Sequence, residues 1–242
     1  MVLAAGLGTR LRPLTDDRPK ALVTVVGRTL LEIVLARLRE FGVREVVVNA
    51  HHYAEMIVAY LEANGNFGMH IEVSREETLL DTGGGLKKAA DFFLRDGGDE
   101  AFLVHNVDVI SAIDLGAMVR AHEGQGALAT LAVAARKASR YLEFDEAGQL
   151  CGRLTAADGD EALEAGAGAA LAFSGIHVIA PRIFGRMREE GAFSIIDAYL
   201  RLAGEGETIR AFRADGVYWR DLGRVESVAA ADRDVADGVV RV

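Results

Sequence analysis

Short apolar segments alternate with amphipathic helical segments along the first half of the chain, and this alternation limits the fold more than any other feature. The run from Glu45 to Asn49 has three consecutive valines, as in the centre of a parallel sheet. A helical pattern follows from about Ala54 to Ala63, and then a strand pattern from Met69 to Ser74. Strands and helices that alternate in this way form right-handed βαβ crossovers. The sequence therefore predicts a Rossmann-like α/β fold, with helices on both faces of a mainly parallel, twisted sheet.

The pattern changes near residue 136. Tyr141 to Asp145 and Gln149 to Leu154 predict a β-hairpin with a glycine-containing turn between them. No repeat, linker or low-complexity run divides the chain. We therefore predict one domain over residues 1–242, with the parallel sheet in about residues 1–135 and a smaller mixed β lobe in about residues 136–242.

Composition excludes several classes of protein. The net charge of −9 disfavours general attraction to nucleic acids or anionic membranes. Cys151 is the sole cysteine, which excludes an internal disulfide and a cysteine-based zinc cluster and favours a cytoplasmic setting. No apolar run approaches the roughly 18 residues of a membrane span, and no signal peptide precedes the first strand. Residues 155–168 are acidic and rich in Ala and Gly, so we expect a mobile excursion there.

A glycine-rich loop follows the first apolar segment. Gly6 and Gly8 allow positive φ and close approach, so the N–H groups of residues 5 to 9 are free to point at phosphate oxygens. The loop is neither a Walker A motif nor a complete G-x-G-x-x-G, since Leu11 replaces the third glycine. Phosphate binding is the interpretation we favour, and solvated loop charges are the alternative. The cations that accompany the loop are Arg10, Arg12, Arg18 and Lys20.

The longer string from Gly6 to Thr15, followed by Pro19-Lys20, resembles the signature of sugar-1-phosphate nucleotidylyltransferases. These enzymes join a nucleoside triphosphate to a sugar 1-phosphate and release pyrophosphate, which requires neutralisation of two anions that must meet. The resemblance implies catalytic roles for Arg10, at the pyrophosphate leaving group, and for Lys20, at the α-phosphate. It further implies that the loop binds the nucleotide, through Leu3, Ala4, Ala5, Gly6, Gly8 and Thr9.

Two aspartates lie at predicted strand ends, Asp108 after a buried strand and Asp221 late in the chain. Either one alone is as compatible with a helix cap or an exposed turn. The family has Asn-Gly-Asp and Asp-x-Gly at these places, so the resemblance implies that both aspartates bind one Mg²⁺ ion. Val107 departs from the family's glycine, which puts in doubt the contact between Asn106 and the sugar that the resemblance implies.

The segment Leu80-Asp81-Thr82-Gly83-Gly84-Gly85-Leu86 is similar to the second nucleotide segment of the family. Three glycines at the start of a helix, predicted from Gly83 to Leu94, would expose backbone groups to the edge of a base. A tight turn between a strand and a helix is the structural alternative. Given the first motif, we expect base contacts from Gly83 and Gly84.

The sugar side has a weaker signal. Phe173-Ser174-Gly175-Ile176 resembles the family's strand beside the sugar, which implies contacts from Ser174 and Gly175, although sheet packing explains a strand glycine equally well. The family's Val-Glu-Lys-Pro segment, whose lysine neutralises the sugar phosphate, does not occur here. Arg136, Lys137 and Arg140 are candidates for that charge, or they form a solvated face.

The resemblance implies an Mg²⁺-dependent enzyme with a nucleoside triphosphate and a sugar 1-phosphate as its ligands, without a nucleic-acid or membrane partner. The closest resemblance is to uridylyltransferases that act on N-acetylmuramate 1-phosphate in cell-wall recycling, with guanylyl transfer to mannose or heptose 1-phosphate close behind. A metal-dependent glycosyltransferase and a non-catalytic nucleotide-sugar sensor are the alternatives from other classes. We expect a monomer or a small homo-oligomer.

Overall fold

The computed structural model describes residues 1–155 and 168–242. The excursion expected over residues 155–168 therefore lies almost wholly outside the described residues. Thr29 and Asp114 cap two of the helices, by accepting the N–H groups of Glu32 at 3.1 Å and Ala117 at 2.9 Å. The α-helices of the described residues are α1 (Leu30–Glu40), α2 (Ala54–Ala63), α3 (Asp81–Lys88), α4 (Ala90–Leu94), α5 (Leu115–Gln125), α6 (Ile195–Gly204) and α7 (Val225–Ala236).

Short 3₁₀ turns at Thr9–Leu11 and Lys20–Leu22 frame the glycine-rich loop. The strands of the described residues are β1 (Val2–Leu3), β2 (Thr24–Val25), β3 (Arg28–Thr29), β4 (Glu45–Ala50), β5 (His70–Arg75), β6 (Phe102–Asn106), β7 (Val109–Ser111), β8 (Ala129–Ala134), β9 (Arg140–Phe144), β10 (Leu150–Thr155), β11 (Ala169–Ile179), β12 (Ile209–Arg213) and β13 (Trp219–Asp221).

The main sheet has nine strands, and seven of them follow the order β10-β9-β11-β6-β1-β4-β5. Strands β6, β1, β4 and β5 are parallel to one another, and β12 is parallel to β8. The long strand β11 runs antiparallel to β6, β8 and β9, so it joins the parallel half to the hairpin β9–β10. The predicted α/β architecture, with a mainly parallel sheet and a mixed β lobe, is confirmed.

One predicted helix is wrong in its extent. The helix expected from Gly83 to Leu94 begins at Asp81 and ends at Lys88, and α4 follows as a separate helix. Periodicity does not report the interruption, because apolar residues continue on both sides of it.

The core consists of two apolar clusters, one on each side of the sheet strands. The first includes Leu31 and Leu35 of α1 and Val48 of β4, and the second includes Leu131 of β8 and Tyr199 of α6. Both clusters contain residues from β1 and from the second half of the chain, so the first strand is fixed from both faces. None of the described helices is long and apolar enough to cross a bilayer.

Candidate active site

The glycine-rich loop folds back against Lys20, and its glycines make this possible. Gly8 has φ +65°, and a Cβ atom there would lie 3.0 Å from Cγ2 of Thr15. The Thr15 hydroxyl donates to the Gly8 carbonyl at 2.9 Å and closes the loop. A Cβ on Gly6 would lie 3.3 Å from Nζ of Lys20, so a larger residue would crowd the ammonium group.

The upper part of the loop presents unused backbone donors. Gly6 and Thr9 are exposed, and Gly8 is partly exposed. Within residues 1–155 and 168–242, no group accepts a hydrogen bond from the N–H groups of residues 5 to 8. Free N–H groups in a glycine-rich loop next to cations form a site suited to an anion such as a phosphate.

A buried polar network holds the strand end that precedes the loop. Leu3, Ala4 and Ala5 are buried, and the Ala4 N–H donates to Oδ1 of Asn49 at 2.7 Å. The Asn49 amide donates to one carboxylate oxygen of Glu76 at 2.7 Å, and the Leu80 N–H donates to the other at 3.0 Å. Sequence reasoning missed Glu76, because a glutamate after a strand is normally exposed. Since buried polar groups require partners, the network ties the loop to the segment before α3.

Lys20 and Asp108 form an ion pair. Nζ of Lys20 lies 2.9 Å from Oδ2 of Asp108, and the two side chains are only 15% and 11% exposed. Asp108 lies in the turn between β6 and β7, and Lys20 begins the 3₁₀ turn after the loop. A shielded pair of this kind is held in place more firmly than a surface pair, because water competes less with it.

The pairing of β7 with β13 brings the second aspartate to the same place. Asp221 lies opposite Val109 in an antiparallel register, and the Leu222 N–H donates to the Asp108 carbonyl at 2.8 Å. The Gly223 N–H donates to Oδ1 of Asp221 at 2.7 Å, which fixes that carboxylate. The two aspartates, remote in sequence, are thus neighbours in the fold.

These two carboxylates suit Mg²⁺, which takes one or two protein carboxylates and leaves its other positions to phosphate oxygens and water. Among the described residues, no third Asp, Glu, His or Cys joins them in a metal-binding group. The set consists of hard oxygen ligands only, and the ammonium group of Lys20 already rests against one of them, which shows that this position favours positive charge.

Arg10 reaches the same end of the site. A Cβ atom on Gly223 would lie 2.8 Å from Nη2 of Arg10 and 2.8 Å from Oδ1 of Asp221, so the guanidinium and the carboxylate flank this glycine. Arg10 is exposed and makes no ion pair with the described residues. Its charge is therefore available to a ligand.

A cleft of about 850 Å³ extends from Arg10 and Asp221 towards the hairpin β9–β10. Its wall is formed by strand ends of both halves of the chain, as expected for a ligand site on an α/β sheet. The cleft brings together several residues that the sequence singled out: Arg10, Asn106, Arg136, Lys137, Arg140, Ser174, Gly175 and Asp221.

Gly175 has φ +73° inside strand β11, and a Cβ there would lie 2.8 Å from Nδ2 of Asn106. The register of β11 with β8 shifts between Phe173 and His177, so the glycine sits at an irregularity in the sheet. The sequence left sheet packing and ligand approach as equal explanations for this glycine, and the Asn106 contact provides a packing reason.

Arg136 is fixed on the cleft wall by three groups. Its guanidinium carbon lies 3.6 Å from the centre of the Trp219 ring, and its nitrogens donate to Oγ of Ser174 at 3.0 Å and to the Phe173 carbonyl at 2.7 Å. Trp219 in turn donates to the Ser174 carbonyl at 2.8 Å. Burial lowers the pKa of Arg136, and the charges of Asp221 and Asp215 oppose that shift. Trp219 has no local sequence signal for this stacking role.

The second glycine segment differs from the expectation. Its glycines are buried, and the N–H groups of Gly83 and Gly84 donate to the Phe193 carbonyl at 2.9 and 3.4 Å, so they are not exposed to a ligand. A Cβ on Gly84 would lie 2.3 Å from the Gly191 carbonyl oxygen, and one on Gly85 would lie 2.7 Å from the Asn49 and Glu76 side chains. Close packing therefore accounts for these glycines. A base contact by Gly83 or Gly84 stays a prediction, and it would have to use atoms other than these N–H groups.

Val107 is accommodated without strain. Its side chain is 1% exposed and belongs to the core, and its N–H donates to the Leu3 carbonyl at 3.1 Å. It is not among the described residues with positive φ, so glycine is not required there. The backbone at Val107 therefore gives no reason to doubt the contact between Asn106 and the sugar, which stays a prediction.

Comparison with known proteins places the chain among nucleotide-transferring enzymes. The sequence model of the nucleotidyl transferase family matches residues 1–238. The N-acetylmuramate alpha-1-phosphate uridylyltransferase of Caulobacter vibrioides is 35% identical, over 98% of this chain and 96% of that protein. The mannose-1-phosphate guanylyltransferase of Mycobacterium tuberculosis is 26% identical, over 99% of this chain and 65% of that protein.

The fold has close matches among solved structures. A putative glucose-1-phosphate thymidylyltransferase from Bacillus anthracis, in complex with a sucrose, superposes with a TM-score of 0.81 at 16% identity, over 100% of this chain and 95% of that one. At this level of identity the similarity shows a shared fold.

Proposed function

The chain belongs to the nucleotidyl transferase family, and we propose that it transfers a uridylyl group from UTP to N-acetylmuramate 1-phosphate, with release of pyrophosphate. At the coarser level it is a sugar-1-phosphate nucleotidyltransferase, as the full-length relative from Caulobacter vibrioides is by name. The observation that carries the proposal is one cleft in which Arg10 and Asp221 meet beside the Lys20–Asp108 pair.

In the proposed reaction, an oxygen of the sugar phosphate attacks the α-phosphorus in line. The new bond joins that oxygen to the α-phosphorus, while the bond from the α-phosphorus to the bridging oxygen breaks and pyrophosphate leaves with the electron pair. No general base is needed, because the attacking oxygen is already an anion. The residues supply position and positive charge, which is the main requirement of phosphoryl transfer.

Lys20 stabilises the charge that develops on the α-phosphate, and Arg10 holds the pyrophosphate. Both side chains start from the glycine-rich loop, whose free N–H groups bind further phosphate oxygens. In the ligand-free protein Asp108 balances the charge of Lys20 at 2.9 Å. On substrate binding the ammonium would turn from this carboxylate to the phosphate. Asp108 would then be balanced by the Mg²⁺ ion that it would hold with Asp221, so neither charge would be left unpaired in the shielded site.

Asp108 and Asp221 would hold the Mg²⁺ ion, which neutralises phosphate charge when bound. The backbone at Leu3, Ala4, Ala5, Gly6, Gly8 and Thr9 binds the nucleotide, in the part of the chain up to about residue 135. Asn106, Ser174 and Gly175 face the sugar, in the cleft that the second part completes. We place the reaction in the cytoplasm, which suits the free thiol of Cys151.

Guanylyl transfer to mannose 1-phosphate is the second candidate, because the relative from Mycobacterium tuberculosis with that name aligns over 99% of this chain.

The test is a pyrophosphate-release assay with four nucleoside triphosphates, a panel of sugar 1-phosphates and Mg²⁺, with the sugar nucleotide identified by mass spectrometry. We expect turnover that requires both substrates and stops on chelation of the metal, with UTP and N-acetylmuramate 1-phosphate preferred. Binding of both substrates without turnover would contradict the proposal and favour a sensor. Transfer of a sugar from a sugar nucleotide would favour a glycosyltransferase.

A further inference from the structure

The cleft is far more cationic than the chain as a whole. Seven of the residues that line it are arginine or lysine, and Asp221 is the sole acidic residue among the described lining residues. The chain itself carries a net charge of −9. A local excess of this kind raises the local concentration of anionic ligands.

Not all of these cations are free. Arg220 is held by Asp234, which accepts from its Nε at 2.9 Å and its Nη2 at 2.6 Å. Lys137 and Arg140 are exposed and make no ion pair with any residue in the described parts of the chain. Arg10 and Arg224 are also exposed and make no ion pair among the described residues, so uncompensated charge lies at both ends of the cleft.

Two arginines of the hairpin share one face. Arg153 lies opposite Leu142, and Thr155 lies opposite Arg140, so the two arginines are diagonal neighbours across β9 and β10. Like charges at this spacing repel each other unless an anion lies between them. Arg153 also contacts Asp197 at 2.7 Å, but the two side chains are 43% and 54% exposed. An ion pair this exposed contributes little to stability, and Arg153 can readily exchange Asp197 for another anion.

The remaining cations suffice for the phosphate of the sugar. Arg136 is held rigidly on Trp219 and Ser174, next to Gly175 and Asn106, and Lys137 follows it directly. A phosphate monoester carries about two negative charges at neutral pH, which these two cations balance. The arginine pair of the hairpin is then surplus for a neutral hexose 1-phosphate.

Building on the proposed function, we infer that Arg140 and Arg153 bind a second acidic group, a carboxylate on the hexose of the sugar 1-phosphate. The pair determines specificity and takes no part in the bond changes. It favours an acidic sugar because the carboxylate relieves the repulsion between the two guanidinium groups. A neutral sugar gains nothing from the pair, because the repulsion is the same before and after that sugar binds.

The experiment uses two matched pairs of substrates, each differing by one carboxylate. They are N-acetylmuramate 1-phosphate against N-acetylglucosamine 1-phosphate, and glucuronate 1-phosphate against glucose 1-phosphate. We expect Arg140→Gln and Arg153→Gln each to lower kcat/KM for the acidic member about 10- to 100-fold, the usual range for a charge-assisted hydrogen bond. For the neutral member we expect a change within about twofold, because that member has no partner for either guanidinium.

Two variants serve as controls. Arg120→Gln removes the same charge from an exposed position of α5 outside the cleft, and should leave both members of each pair unchanged. Asp197→Asn breaks the ion pair of Arg153 but keeps the arginine, and should not weaken turnover of the acidic member.

Equal losses on acidic and neutral members would overturn the inference and assign these arginines to the phosphate. Unchanged kcat/KM in both arginine variants would also overturn it. Absence of turnover with every triphosphate and sugar phosphate in the wild-type protein would overturn the proposed function itself. If the wild-type protein turns over any one pair of substrates, the proposed function stands, and the arginine variants then test the specificity inference alone.

Discussion

The two ends of the cleft balance charge in different ways. At the loop end, Lys20 forms an ion pair with Asp108 at 2.9 Å, whereas Arg10 lies beside Asp221 without an ion pair among the described residues. At the hairpin end, Lys137 and Arg140 have no acidic partner among the described residues. When a metal ion and phosphates bind, the loop end therefore exchanges existing contacts. The hairpin end, by contrast, carries an excess of positive charge before any ligand binds.

This difference suggests a division of labour. Groups that change partners during the reaction act on the transition state, so their loss should lower kcat. Groups that offer a fixed charge stabilise the bound substrate and the transition state alike, so their loss should raise KM and leave kcat unchanged. Each kinetic variant below tests whether a residue acts on the transition state, through kcat, or on substrate binding, through KM.

The largest effect is expected for Lys20→Ala. Loss of one cation that stabilises charge in the transition state costs about 10²- to 10³-fold in kcat. We expect a loss of roughly that size with little change in nucleotide affinity, measured by steady-state kinetics and by titration of the nucleotide into the protein. Lys88→Ala, at an exposed position of α3, is the charge-matched control.

Turnover of Lys20→Ala at the wild-type rate would refute the role assigned to this lysine. Lys20→Ala leaves Asp108 shielded and without a partner, which destabilises the fold. Loss of activity through unfolding has to be separated from loss of the lysine's charge. Lys20→Arg keeps the positive charge and, if kcat still falls in that variant, shows that position as well as charge matters.

Asp221→Asn should follow in size. Asparagine keeps the oxygen that accepts from the Gly223 N–H at 2.7 Å, so the local fold is retained while the negative charge is lost. We expect roughly a 10²-fold fall in kcat and a shift of the Mg²⁺ dependence to about tenfold higher concentration, as for removal of a metal ligand. Asp237→Asn, exposed after α7, is the control. An unchanged Mg²⁺ dependence would exclude Asp221 as a ligand.

The sequence predicted the loop end better than the hairpin end, for a physical reason. The loop, Arg10 and Lys20 lie within one local string whose glycines are required by a φ of +65° at Gly8 and by contact with Lys20. Asp108 follows a strand that its apolar run Phe102-Leu103-Val104 identifies. Such signals are carried by neighbours in the chain, so one sequence is enough to find them.

The features that local sequence patterns do not show depend on pairing between distant segments. The placement of Asp221 beside Asp108 requires the register of β13 on β7, and the stacking of Arg136 on Trp219 requires three separate segments to meet. Local patterns do not encode strand register across such distances. At the glycines of α3, packing against Phe193 and Gly191 accounts for the motif, and the base contact expected from the sequence stays a prediction.

Gly84→Ala tests, through thermal stability, whether close packing explains the glycines of α3. The new Cβ would lie 2.3 Å from a backbone oxygen of Gly191, which side-chain rotation cannot relieve. Overpacking of this kind costs about 1–3 kcal/mol, and at about 2–4 °C per kcal/mol for a chain of this size we expect the Tm to fall by roughly 2–12 °C. Gly124→Ala is the matched control, since nothing lies within 4 Å of its Cβ position in α5. That variant should be neutral or stabilised by up to about 1 kcal/mol. Equal Tm values for the two variants would contradict the packing explanation.

The smallest effect is expected for Arg136→Lys, which keeps the charge at the hairpin end and removes its geometry. Lysine cannot donate to Ser174 and the Phe173 carbonyl together while it stacks on Trp219, so the charge becomes mobile. We expect KM for the sugar phosphate to rise about tenfold, with kcat and the KM for the nucleotide within about twofold of wild type. A fall in kcat instead would move Arg136 into the group that acts on the transition state. Both ends of the cleft would then act on the transition state, and they would differ in geometry alone.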